Sequence, residues 1–273
     1  MKICIVVDDY MPFSIKIGAK MMHELAIELV GRGHEVMVVT VGINLKKPYE
    51  KDILDRVSIY RFSSGEIKNI SKVKRVINEY LLSYRAWKNL KDIFYQSQIE
   101  LIIYYSPTIF LGSLIKKLKK LWNAKSYLIL RDLFPQWVID NGMLSKNSPI
   151  TKFFQYFERI NYDQADRIGI QPQKNIDWFK QYFSKKKQID LLYNWATDTP
   201  IQLTEKKLRK RLNLEGKIVL FYGGNIGHAQ DISQILRLAK SLSSHPGAHI
   251  VLMGAGDEVN LVKQFIKNES PGN

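Results

Sequence analysis

The chain has a single cysteine, Cys4, in 273 residues. No internal disulfide is therefore possible, which fits a reducing compartment. No run approaches ~18 consecutive apolar residues, so a membrane-spanning helix is not expected. The apolar opening from Met1 to Val7 is too short for a secretory leader, and Asp8 and Asp9 close it. The five histidines (His23, His34, His228, His245, His249) follow no metal-ligand spacing, and they read as surface or hydrogen-bonded residues. Asp8-Asp9 is not an Asp-x-Asp triplet, and no such triplet occurs anywhere. Internal repeats and low-complexity tracts are absent. Acid is also in short supply, with 26 Asp and Glu against 41 Lys and Arg, a net charge of +15. Eleven of those charges fall at or before Pro200. A basic excess of this kind suits a diphosphate, an anionic membrane surface or nucleic acid. It also describes an ordinary solvated basic face. No nucleic-acid recognition motif accompanies it, so nucleic acid has charge alone in its favour.

What is present is an apolar fraction of 45% and an alternation of strand and helix patterns. Lys2 to Val7 reads as a buried strand. From Gly18, the residues Ala19, Met22, Leu25, Ala26 and Leu29 line one helical face, which Gly31 and Gly33 end. Strands are expected at Glu35–Val41, Val57–Phe62, Leu101–Tyr105, Ser126–Leu130 and Arg167–Ile170. Helices are expected at Ile70–Phe94, Pro107–Leu121, Pro149–Tyr162 and Gln173–Phe183. The alternation predicts an α/β fold with mostly parallel sheets and helices on both faces. Lys185 to Lys187 and Ala196 to Thr204 read as connections. The boundary divides the chain into an N-terminal domain, 1–195, and a second domain, 196–273. That second domain offers helices at Glu205–Leu212, Asp231–Leu242 and Glu258–Lys267, and strands at Ile218–Phe221 and His249–Met253. Two βα units are fewer than a nucleotide-binding sheet usually needs to bury both faces, so this domain reads as incomplete.

The densest signal runs from Lys217 to Asp231. The apolar run Ile218–Phe221 leads into a turn with Gly223, Gly224 and Gly227. Ile232, Ile235, Leu236 and Ala239 then recur at helical spacing. Strand, glycine turn and helix together aim backbone N–H groups and a positive helix end at a phosphate. Glycine lets the backbone approach the anion. A plain β–α turn would have the same residues. At the other end of the chain, Asp132 follows directly on a strand, at the sheet edge where α/β proteins bind ligands. A carboxylate there can orient a hydroxyl or take its proton. Arg131 beside it can meet phosphate, or the two can form an ion pair that only orders the loop. Pro135, Trp137 and Trp195 read equally well as core or site.

Together these segments resemble the GT-B glycosyltransferases, and within them glycosyltransferase family 4. The resemblance rests on Gly18 to Thr40 with Gly-Arg-Gly-His-Glu-Val at Gly31–Val36, on Arg131-Asp132-Leu133-Phe134-Pro135, and on Tyr193-Asn194-Trp195. It rests further on Gly223 to Asp231 and on Met253-Gly254-Ala255-Gly256-Asp257-Glu258. The nearest subgroup is that of fucosaminyltransferase-like enzymes of bacterial surface-polysaccharide assembly. The resemblance implies two Rossmann-like domains and transfer of a sugar, N-acetylfucosamine for that subgroup, from a nucleotide-sugar to a lipid-diphosphate-linked saccharide in O-antigen or capsule assembly. Retention of anomeric configuration is implied as well.

By the same resemblance Gly224, Asn225 and Gly227 approach the donor phosphates. Gly18 opens the loop near the donor from the other side, and Asn194 belongs to the interdomain segment. Asn225 and Gln230 stand where many relatives carry Arg and Lys, which leaves charge neutralisation to backbone dipoles or other cations. Asp132 is the catalytic candidate, and Arg131 takes the place of a histidine common in relatives. No cofactor or metal is implied. The missing Asp-x-Asp argues against the metal-dependent GT-A type. Relatives carry a paired-glutamate segment beyond the point where this sequence stops, and Glu258 lies too early to replace it. The expectation is a truncated enzyme with an impaired donor site, at the cytoplasmic face of the membrane.

Two basic–aromatic stretches suit that place. In Lys68–Lys91, Lys72, Arg75, Arg85 and Lys88 lie among Val73, Ile77, Tyr80, Tyr84 and Trp87. In the second, Lys116, Lys117, Lys119 and Lys120 precede Trp122. They can rest on an anionic membrane, or be the outer face of ordinary core helices. Two further function classes have some footing in the sequence. A nicotinamide-dependent enzyme needs Gly-x-Gly-x-x-Gly after the first strand. Here Asp8 to Pro12 follows instead, and Gly254-Ala255-Gly256 has Val259 in place of the third glycine. A non-catalytic binding module is the remaining alternative.

Overall fold

The computed structural model describes residues 1–14, 16–66, 70–183, 187–198, 207–269 and 271–272, without the side chains of Lys72 and Lys207. The start of the helix expected at Glu205, most of the connection Ala196–Thr204, and Lys68, Lys185 and Lys186 lie outside these residues. The chain forms two compact units, Met1–Asp198 and Thr199–Asn273.

The first unit runs β1 (Lys2–Val6), α1 (Ile17–Gly31), β2 (Glu35–Ile43), β3 (Tyr49–Leu54), β4 (Val57–Ser64), α2 (Lys72–Tyr80), α3 (Leu82–Gln96) and β5 (Leu101–Ser106). It continues with α4 (Gly112–Trp122), β6 (Lys125–Leu130), α5 (Gln136–Asp140), α6 (Pro149–Asp163), β7 (Arg167–Ile170), α7 (Gln173–Tyr182) and β8 (Gln188–Leu191). The eight strands make one sheet in the order β3-β4-β2-β1-β5-β6-β7-β8. All pairings are parallel except β3 with β4.

The apolar runs explain the sheet. In β1, Cys4 and Val6 bury into the core that α3, α4, α6 and α7 cover, while Ile3 and Ile5 bury into the one under α1. Successive side chains point to opposite faces, so a strand covered on both sides must be apolar throughout. Cys4 is fully buried, and burial raises its thiol far above the ordinary range, which makes it inert.

Two helices differ from the sequence expectation. The single helix expected over Ile70–Phe94 is two, separated at Leu81. The apolar face changes partner there. Leu82, Ala86, Leu90 and Phe94 bury, whereas Val73 and Ile77 point to solvent. The helix expected from Pro107 begins only at Gly112, because Thr108 Oγ1 takes the Phe110 N–H into a turn. His249 is half-buried, with its Nδ1 buried and without a partner.

The second unit contains α8 (Lys207–Arg211), β9 (Ile218–Gly223), α9 (Ile232–Leu242), β10 (Ala248–Met253) and α10 (Val259–Glu269). β9 and β10 pair in parallel, from Ile218 opposite Ala248 to Gly223 opposite Met253. Ile226, Ile232, Leu236 and Val262 form its small core. Ile218 and Phe221 of β9 stay 71% and 56% exposed.

Candidate functional site

The parallel register brings the ends of β1, β5 and β6 together, with Val6 opposite Tyr104 and Ser106 opposite Leu130. The loops that follow therefore start side by side on the carboxyl edge of the sheet. Gly18 sits in the first turn of α1, where an added Cβ would stand 3.0 Å from the Tyr105 hydroxyl. Glycine here permits a close approach between helix and strand. The Tyr105 hydroxyl is raised above its ordinary range by burial, eased by Arg131 and reinforced by Asp132 and Asp8. Arg131 and Asp132 follow β6 directly, where Ile129 pairs with Tyr105. Arg131 Nη1 reaches Met21 Sδ at 3.3 Å, and Trp195 Nε1 donates to the Met21 carbonyl at 3.1 Å. Met21 thereby ties the Arg131 loop and the segment carrying the exposed Asn194 to the same turn of α1.

Asp132 is held above the ordinary carboxylate range by burial, with Arg131 pulling the other way. A partly desolvated carboxylate next to a guanidinium can accept a hydroxyl proton, and the guanidinium can meet an anion. The loop after β1 is fixed from beneath. Tyr10, buried, bonds His23 Nδ1 at 2.9 Å, and His23 Nε2 bonds Asp55 at 2.9 Å. Buried Arg61 joins Asp52 at 3.0 Å and donates to the Met11 carbonyl. Sequence reasoning named Gly18, Arg131, Asp132 and Asn194 for this edge, and missed Tyr105 and Met21. Both sit within apolar runs and read as core.

The second unit has its own glycine-lined edge. Because β9 and β10 end in register, their turns lie side by side. Gly224 N–H bonds the Met253 carbonyl at 3.0 Å, and Ile226 N–H bonds that of Ala255 at 2.9 Å. A Cβ at Gly254 would run into the Gly224 carbonyl, and one at Gly256 into that of Ile226. Glycine is thus required by close backbone packing at these two positions. Asn225 Nδ2 donates to Gln230 Oε1 at 2.7 Å across the turn, so the two amides satisfy one another. Gly227 lies between them, and a Cβ there would stand 2.8 Å from Asp257 Oδ1. Asp231 caps α9 in a left-handed conformation with φ of 45°. Bonds from Ser233 and Gln234 hold its carboxylate below the usual range. Glu258 contacts His228 Nδ1 at 3.3 Å. Three acids, Asp231, Asp257 and Glu258, thus flank a turn that leads into the start of α9.

Among the described residues, no three His, Cys, Asp or Glu side chains stand close enough together to hold a metal ion. No helix among them is long and apolar enough to cross a membrane.

No family model matches the chain. Over 288 residues it is 23% identical to WcaI of Escherichia coli (strain K12), named for a glycosyl transferase of colanic acid biosynthesis, covering 96% of this chain and 68% of that one. Over 143 residues it is 25% identical to WbjE of Pseudomonas aeruginosa, named as a glycosyltransferase, covering 51% of this chain and 36% of WbjE. Among solved structures, sucrose-phosphate synthase from Thermosynechococcus elongatus superposes with a TM-score of 0.70 at 15% identity, over 99% of this chain and 68% of that one. WaaG, a glycosyltransferase of lipopolysaccharide biosynthesis, superposes with a TM-score of 0.60 at 12% identity, over 99% of this chain and 68% of that one. The fold is the one that GT-B glycosyltransferases share, and the sequence is similar along nearly its whole length to a protein named as a glycosyl transferase.

Proposed function

We propose that the chain transfers a sugar from a nucleotide-sugar to a lipid-diphosphate-linked saccharide in bacterial surface-polysaccharide assembly. The observation that carries this reading is the meeting of Gly18, Tyr105, Arg131 and Asp132 at one sheet edge, in a chain similar to glycosyltransferases. Asp132 orients the acceptor hydroxyl and takes its proton. Arg131 meets phosphate. In the second unit, N–H groups around Gly227 and the start of α9 take the donor diphosphate, while the Gly224 N–H, bonded to the Met253 carbonyl, and the Asn225–Gln230 bond fix the turn. Asn194, next to the Trp195 that bonds Met21, is a further donor-binding candidate on the first unit. Such a site stabilises the leaving diphosphate by fixed dipoles aimed where charge develops. Membership of glycosyltransferase family 4 and N-acetylfucosamine as the sugar belong to the same proposal, as does a workplace at the cytoplasmic face of the membrane.

The test is release of nucleoside diphosphate from a panel of nucleotide-sugars, with bacterial lipid extract as acceptor source. Release that needs both the extract and one particular donor is the expected result. A folded chain that releases nothing from any donor contradicts the proposal.

A further inference from the structure

The helical layer over one face of the first sheet carries an apolar stripe on its outside. Val73, Ile77 and Tyr80 recur at helical spacing on α2, and Tyr84 continues the row on α3. They are 70%, 52%, 48% and 59% exposed. A surface helix normally turns such a stripe inward. The Tyr80 ring lies 5.4 Å from Phe157 and 6.2 Å from Phe153, so the row joins α6, where Ile150 and Tyr156 are also exposed. From there aromatic contacts lead toward the site. Phe153 meets Phe154 at 5.5 Å, and Phe154 meets Phe134 at 4.9 Å. Phe134 is two residues from Asp132.

The surroundings are basic. Exposed Lys116, Lys117 and Lys120 lie on α4, which packs between α3 and α6, and exposed Lys152 and Arg159 lie on α6. Lys117 Nζ rests 5.0 Å over the Trp87 ring. The acid on α2, Glu79, is bound by Arg75 at 2.7 Å. Tyrosines beside aliphatic residues favour the water–lipid boundary, and unpaired cations favour anionic headgroups.

We infer that the α2–α6 stripe and the α4 lysines form a docking surface for an anionic lipid bilayer. An apolar row flanked by charge of one sign complements lipid headgroups over acyl chains. Its aromatic continuation ends beside Asp132, which is where a lipid-linked acceptor must present its sugar. That last point rests on the proposed sugar transfer. The docking surface itself does not.

The test is co-sedimentation of the full chain with phosphatidylcholine vesicles, with and without phosphatidylglycerol. Each lysine near an anionic leaflet is worth about fivefold in partitioning. The triple variant Lys116→Glu/Lys117→Glu/Lys120→Glu should therefore lose at least about tenfold. Ile77→Glu should lose a comparable factor at unchanged melting temperature, because Ile77 is exposed. Lys263→Glu/Lys267→Glu on α10 is the charge control and should stay within about twofold. Three results overturn the inference: no sedimentation, equal sedimentation with and without phosphatidylglycerol, or a control that loses as much as the triple variant. Vesicle binding without nucleoside diphosphate release would sink the sugar-transfer reading alone. Transfer by a chain indifferent to vesicles would sink the docking surface alone.

Discussion

Asp132→Asn slows lipid-acceptor-dependent sugar transfer by about 10²–10⁴-fold, the usual worth of a positioned proton acceptor. Asparagine keeps the size of the side chain and its place beside Arg131, but it cannot take the acceptor proton. Because burial raises the Asp132 carboxyl, the acid limb of the wild-type rate profile should lie above the ordinary carboxylate range. The rate should climb as pH rises through that limb, since the charged form is the active one. The variant should lose the limb along with the rate. Nucleoside diphosphate affinity should stay within about twofold, because Asp132 serves the acceptor. A variant within about threefold of wild type would remove Asp132 from the proton-accepting role.

Glu158→Gln is expected to stabilise the protein at alkaline pH and to leave it unchanged at acid pH. Glu158 lies on the inner face of α6 and is only 4% exposed, and its Oε1 has no hydrogen-bond partner. Next to it, Asn161 is fully buried with both amide atoms unpaired. Burial pushes the Glu158 carboxyl up to about 8 from an ordinary 4.5, with the Tyr162 hydroxyl and Arg159 pulling it partway back. The sign follows from linkage. The unfolded chain loses this proton near pH 4.5 and the folded chain near pH 8. Stability is therefore greatest below the first value, falls between the two and levels off above the second. The variant removes that fall. Urea unfolding should show a gain on the order of 5 kcal/mol at pH 9 and agreement with wild type at pH 4. Parallel profiles would mean that Glu158 is charged in the folded protein.

These two residues differ in how far the sequence revealed them. Asp132 was visible because it directly follows an apolar strand, and parallel strands place such positions at one edge. Arg131 stands beside it for the same reason, whereas Gly18 was named by the family resemblance alone. Glu158 was hidden. In Thr151–Tyr162 the aromatic residues point to an amphipathic helix, and a glutamate there reads as solvent-facing. Yet Thr151, Phe154, Glu158, Asn161 and Tyr162 share one buried stripe, so the i, i+4 step from Phe154 to Glu158 was the signal available. The strands missed are β3 and β8, both at sheet edges. Tyr49–Leu54 carries Glu50, Lys51 and Asp52 and owes its form to antiparallel pairing with β4. Gln188–Leu191 is four residues held by β7 alone. Non-local pairing decides both, and local pattern does not contain it. In the second unit the glycine turns were legible, but the bond between Asn225 and Gln230 across the turn was not, because side-chain partners within a turn depend on its backbone path.

The central claim is that the glycine turn of the second unit receives a nucleoside diphosphate. Calorimetric titration of the chain with nucleoside diphosphates tests it most directly, with Gly227→Val as the comparison. The account predicts saturable binding that inorganic pyrophosphate competes away and that the valine, by covering the backbone N–H groups and displacing Asn225, weakens at least about tenfold. No binding heat from any nucleoside diphosphate, or equal affinity in the folded valine variant, would contradict it.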